Sequence, residues 1–201
     1  MSENETKRSS APSTGYVSIH LKGEALDRFN RFRRAALCTG ILPELKKVGY
    51  TTPDPHITLM YDCSPHETQV MDHLKRLMTT SQERPWKARL GCVKTGDKAP
   101  VILLELESED LVKVFNSLYE NEIVNPKGAA CQHSLFAHAK QDASEGPNRY
   151  GFAPHVTLCE FPKGTSLETV KKGTRMEDMN AYCPKGQEIE ITFDDVVFES
   201  W

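Results

Sequence analysis

Apolar positions along this chain recur in two rhythms, which predict strands interleaved with helices. Over residues 16–21, Val17, Ile19 and Leu21 share one face of a strand. Residues 24–37 place Leu26, Phe29, Ala36 and Leu37 at broadly helical spacing and leave Arg31, Arg33 and Arg34 to solvent or phosphate. Residues 55–61 are β-branched and apolar, a strand. Over 65–78, Val70, Met71, Leu74, Leu77 and Met78 form one helical stripe. Residues 86–93 and 101–106 read as paired strands around a turn at 96–100, with Trp86 in the core. Residues 110–122 form a helix whose buried face carries Leu111, Val114, Phe115 and Leu118. Residues 139–151 read as a polar loop, 154–161 as a strand and 171–187 as irregular. Residues 188–198 close the pattern as one strand on which Ile189, Ile191 and Phe193 alternate. Without the regular rhythm of a doubly wound sheet, this order predicts α+β. The polar, Ser-, Thr- and Pro-rich residues 1–14 read as a disordered tail, and 15–201 as a single domain.

One internal echo stands out. Pro55-His56-Ile57-Thr58-Leu59 returns as Pro154-His155-Val156-Thr157-Leu158, 99 positions later, with four of five residues identical. Two such copies half a chain apart indicate a duplicated supersecondary unit. On a strand, side chains alternate faces, so His56 and Thr58 point to one side and Ile57 to the other. The same holds for His155, Thr157 and Val156. A pseudo-two-fold arrangement would bring two imidazoles and two hydroxyls to one cleft.

That set suits phosphodiester cleavage without a metal. An imidazole with an ordinary pKa of about 6.5 serves as acid or base near neutrality. One histidine would remove a proton from the attacking oxygen and the other protonate the leaving oxygen. The threonine hydroxyls would donate to non-bridging phosphate oxygens. Lys163 and Arg149 lie nearest the second motif in sequence and could assist. A single His-x-Thr is more often a structural pair than a catalytic one, but structural histidines have no reason to recur with identical neighbours. The remaining histidines, His20, His66, His73, His133 and His138, have no repeat partner and read as surface or structural.

Charge and cysteine usage narrow the rest. With a formal net charge of −3 over 201 residues, the chain is no coater of duplex nucleic acid, and any phosphate must meet a local site. No apolar run approaches the roughly 20 residues that span a bilayer. The first twenty residues lack the apolar core of a secretory signal, which predicts a cytoplasmic protein. The six cysteines form no C-x-x-C pair and read as reduced thiols. Zinc held by Cys131, His133 and His138 would fit no standard finger spacing, and zinc on the two motif histidines with Cys63 or Cys159 would lack a carboxylate or third histidine at ligand spacing.

The paired His-x-Thr motifs resemble those of the two-histidine phosphoesterases. That superfamily includes RNA 2′,3′-cyclic phosphodiesterases, 2′,5′-oligoadenylate phosphodiesterases and phage anti-CBASS phosphodiesterases. The likeness covers both motifs, the strand–helix order between them and the chain length. It implies a bilobal α+β fold of two pseudo-symmetric sheet-plus-helix lobes around a central groove, catalysis by His56, Thr58, His155 and Thr157, and no metal or cofactor. The run from Val101 to Leu111 and the ending Phe198-Glu199-Ser200-Trp201 are similar to the phage branch. In that branch an early aromatic, a late acid and a late aromatic contact the bases, positions that fall here on Tyr16, Glu199 and Trp201. The substrate so implied is a cyclic or short oligonucleotide signal, which would make the protein a viral antagonist of nucleotide-signalled defence, active in the host cytoplasm. The insertions at 125–150 and 171–186 depart from the compact pattern of that family.

Overall fold

The computed structural model describes residues 15–63, 67–80, 84–120, 146–149 and 151–200. Its centre is one seven-stranded antiparallel sheet. The strands are β1 (Gly15–His20), β2 (His56–Cys63), β3 (Trp86–Thr95), β4 (Val101–Glu107), β5 (His155–Glu160), β6 (Glu188–Ile191) and β7 (Val196–Ser200), in the order β6-β3-β4-β5-β2-β1-β7. The α+β class follows from this sheet and six described helices. These are α1 (Gly23–Gly40), α2 (Pro43–Val48), α3 (Glu67–Thr80), α4 (Glu109–Glu120), α5 (Leu167–Lys172) and α6 (Met176–Ala181).

The alternation read from the sequence sets the two faces of the sheet. Val17, Ile19, Ile57, Leu59, Val156 and Leu158 are at most 1% exposed and enter one continuous core. Helices cover that core with apolar stripes: Phe29, Phe32, Ala36 and Leu37 from α1, Val70, Leu74 and Met78 from α3, and Leu111, Val114, Phe115 and Leu118 from α4. Trp86 is buried, as expected. Ser108 caps α4 by accepting the Leu111 N–H at 3.0 Å.

Two stretches of the chain depart from the pattern its sequence predicts. Residues 188–198 are not one strand. Ile191 is buried and pairs with Trp86, after which a capping box between Thr192 and Asp195 closes a 3-10 turn. The chain then continues as β7 beside β1. Strands β6 and β7 therefore lie on opposite edges of the sheet, although only residues 192–195 separate them. That linker can span at most about 18 Å, whereas seven flat strands would spread over about 29 Å. The sheet must curl to bring its edges together.

Residues 171–187 are not irregular either. They hold the end of α5 and all of α6, which is short and has one buried side chain, Met179. Tertiary contacts hold α6 in place. Met179 packs so closely on Gly40 of α1 that a Cβ there would sit 2.1 Å from its Cγ. Asn180 accepts the Val93 N–H at 2.8 Å and donates to the Val93 carbonyl at 3.1 Å, where β3 departs from regular pairing with β4.

Candidate active site

Strands β2 and β5 meet through Ile57 opposite Val156. Each is the third residue of its pentapeptide, so the two copies pair centre to centre. Residues directly opposite in an antiparallel pair point to the same face. With Ile57 and Val156 in the core, His56, Thr58, His155 and Thr157 all lie on the other face, and all four are partly exposed. Continuing the register by one residue sets His56 beside Thr157 and Thr58 beside His155. The four sequence-predicted residues thus come together across one seam.

The local symmetry reaches further. Each motif proline is buried, and it restricts the preceding residue to an extended backbone. The Pro55 carbonyl accepts the Leu21 N–H at 3.2 Å, and the Pro154 carbonyl accepts the Leu106 N–H at 2.9 Å. Two residues back from each histidine, a carbonyl takes its ring proton. His56 Nδ1 donates to Asp54 at 2.8 Å and His155 Nδ1 to Ala153 at 3.0 Å. A carbonyl only accepts, so Nδ1 carries the hydrogen in both rings and Nε2 holds the lone pair of the neutral form. Both imidazoles are therefore set in the same tautomer by the same backbone device. Burial lowers the His155 pKa, with the Ala153 carbonyl opposing it and nearby His56 adding to the depression.

The flanking strands break this symmetry. On β1, His20 lies opposite His56 and Ser18 opposite Thr58. On β4, the equivalent places opposite His155 and Thr157 hold Glu105 and Leu103. Glu105 pairs with Lys94 at 2.5 Å. The His20 ring stacks on His56 with centroids 5.7 Å apart and planes 23° apart. His20 Nε2 in turn lies 2.9 Å from Glu199 Oε1 and 3.1 Å from Ser18 Oγ. Tyr16 donates to the other oxygen of Glu199, and these donors hold its carboxyl below the ordinary range, the Tyr16 hydroxyl most of all.

Sequence reasoning missed His20 by setting it aside as surface or structural for want of a repeat partner. Its signal was the polar alternation Tyr16, Ser18, His20 between the core residues Val17 and Ile19. Tyr16 and Glu199, predicted as base contacts, are bonded to each other on this same face, while Trp201 lies outside the described residues. Arg149 pairs with Glu120 at 3.0 Å, and Lys163 is exposed beyond β5. Arg33 is not simply a solvated helix residue, because it donates to the Pro53 carbonyl at 2.7 Å and so pins the segment entering β2.

Cys38, Cys92, Cys159 and Cys183 are free thiols, and burial pushes Cys159 up to about 12. Cys131, His66, His133 and His138 lie outside the described residues. Among the described residues no group of three or more His, Cys, Asp or Glu is placed to hold a metal ion, and no helix is long and apolar enough to cross a membrane. No family model, curated protein or solved structure matches this chain.

Proposed function

We propose that the protein is a metal-independent phosphodiesterase that cleaves 3′-5′ or 2′-5′ linkages of a cyclic or short oligonucleotide signal. One observation carries the reading: the two Pro-His-x-Thr-Leu copies meet centre to centre, with both imidazoles and both hydroxyls on one face. One imidazole takes the proton of the attacking hydroxyl or water through Nε2 as the new P–O bond forms. The other, entering the step as an imidazolium protonated at Nε2, gives that proton to the oxygen leaving as the old P–O bond breaks. Thr58 and Thr157 donate to the non-bridging oxygens, where charge grows in the transition state. Strands β1, β2 and β7 would form one lobe and β3 to β6 the other, with the motif seam as the floor of the groove between them. Tyr16, Glu199 and Trp201 would hold the bases, and the biological role would be viral antagonism of a nucleotide alarm in the host cytoplasm.

The test is a panel of cyclic dinucleotides, cyclic trinucleotides, 2′,5′-oligoadenylate and 2′,3′-cyclic mononucleotides, each incubated in EDTA. Turnover of a cyclic oligonucleotide is expected. Turnover of the mononucleotides or 2′,5′-oligoadenylate alone moves the function to RNA-end processing or oligoadenylate degradation. Tight binding without turnover makes the protein a nucleotide-binding module. Loss of activity in EDTA with recovery on zinc overturns the metal-independent mechanism.

A further inference from the structure

We infer that His20 is a positioning residue for His56, aimed in turn by Glu199 from the last strand; its kinetic readout rests on the phosphodiesterase reading, and its spectroscopic one does not. His56 is anchored at one ring nitrogen by the Asp54 carbonyl. A single hydrogen bond at the ring edge leaves rotation about the terminal side-chain torsion broadly permitted. The His20 ring, 5.7 Å away and within 23° of parallel, closes off that rotation on one side.

A wall must itself be fixed. His20 is held by Glu199 at 2.9 Å, and a carboxylate only accepts, so the His20 proton in this contact is on Nε2. Glu199 is oriented by the Tyr16 hydroxyl at one oxygen and by Ser18 at the other, 3.3 Å away. Ser18 is fully buried, so its side chain cannot swing out to solvent. Three alternate residues of β1 and one of β7 thus form a single polar file that ends on the His56 ring. On β4, the place opposite His155 is held by Glu105, which is drawn to Lys94.

The experiment compares the wild type with His20→Ala, His20→Gln and His20→Phe in the full chain. Glutamine keeps a donor for Glu199 but has no ring face, and phenylalanine keeps the face but no donor. The first readout is the imidazole ¹⁵N spectrum at pH 8. His56 is expected as the Nδ1–H tautomer in the wild type and in His20→Phe, and as an average of both tautomers in His20→Ala and His20→Gln. The second is kinetics on whichever nucleotide the wild type cleaves. His20→Ala and His20→Gln are expected to lose about ten- to a hundred-fold in kcat, as for a catalytic group misplaced by about 1 Å, with KM within about twofold of the wild type. His20→Phe, which keeps the ring face but not the hold of Glu199, should recover only part of that loss. An unchanged His56 tautomer in His20→Gln overturns the inference, as does wild-type kcat in His20→Gln where the wild type turns over. A wild type that cleaves nothing refutes the phosphodiesterase reading alone, and the tautomer comparison then decides the role of His20.

Discussion

Ile57 of β2 and Val156 of β5 are direct partners across the middle of the sheet, and each is the central residue of its five-residue repeat. This pairing gives the site its geometry. Because the partners are buried, their neighbours on both sides must face the other way. A slip of either strand by one residue would turn its own histidine into the core and its aliphatic side chain out, so burial of Ile57 and Val156 protects the placement of His56 and His155.

Replacing either motif histidine should abolish most turnover. His56→Ala and His155→Ala are each expected to lose about 10²- to 10⁴-fold in kcat, the usual contribution of a general acid or base. The double variant should lose far less than the product of the two, because they act as a unit. Circular dichroism should stay native, since both rings lie off the core face. Near-full activity in either single variant would remove that residue from the mechanism.

Tyr16 allows stacking and hydrogen bonding to be separated. Stacking of a base on an aromatic ring is worth about 1–3 kcal/mol, so Tyr16→Ala should raise KM for a cyclic oligonucleotide by roughly tenfold, at about 1.4 kcal/mol per decade. Tyr16→Phe keeps the ring but removes the hydroxyl that bonds Glu199, and should keep KM near the wild-type value. Equal effects from the two variants would show that the hydroxyl, not the ring face, matters to the substrate.

Acid should weaken the fold in a window set by partly buried histidines. Burial lowers the pKa of both His155 and His73, and Arg76 adds to the effect on His73. The unfolded chain, with imidazoles near 6.5, then binds protons first as pH falls. Stability is full above that value, declines below it and levels off once the folded pKa is passed. Glu199, with its pKa lowered chiefly by Tyr16, acts separately and further down, where its contribution is lost only as pH falls below about 4.3. Urea midpoints at pH 7.5 and 5.5 should therefore fall less for His155→Gln than for the wild type. An equal fall would mean that His155 titrates alike in both states.

Close packing of α1 on α6 gives a purely structural test. A Cβ on Gly40 would meet Met179 at 2.1 Å, too near for the side chain to absorb without moving. Gly40→Ala is expected to cost about 1–3 kcal/mol in denaturant unfolding, the range for overpacking. Met179→Ala in the same background should recover part of that loss. Additive losses in the double variant would show that the two positions do not share the strain.

The sequence alone determined the strands and helices whose apolar residues repeat within one element, and the face on which each motif lies. Period-two alternation in β1, β2 and β5 and the stripes of α3 and α4 are local signals, readable because each side chain's direction follows from its own backbone. The repeated pentapeptide marked His56, Thr58, His155 and Thr157 for the same reason. Where neighbours distant in the chain decide, local pattern was silent or misleading. Helix α6 has too few buried positions for a period and exists through Met179 against Gly40 and Asn180 against Val93. The break between β6 and β7 looked like continuous alternation, because Ile191 and Phe193 keep the rhythm through a turn that the Thr192–Asp195 box closes. His20 became part of the site only when β1 paired with β2, 36 residues further along the chain. Only tertiary structure could decide these features, because pairing register and side-chain contact are set by what the rest of the fold brings alongside.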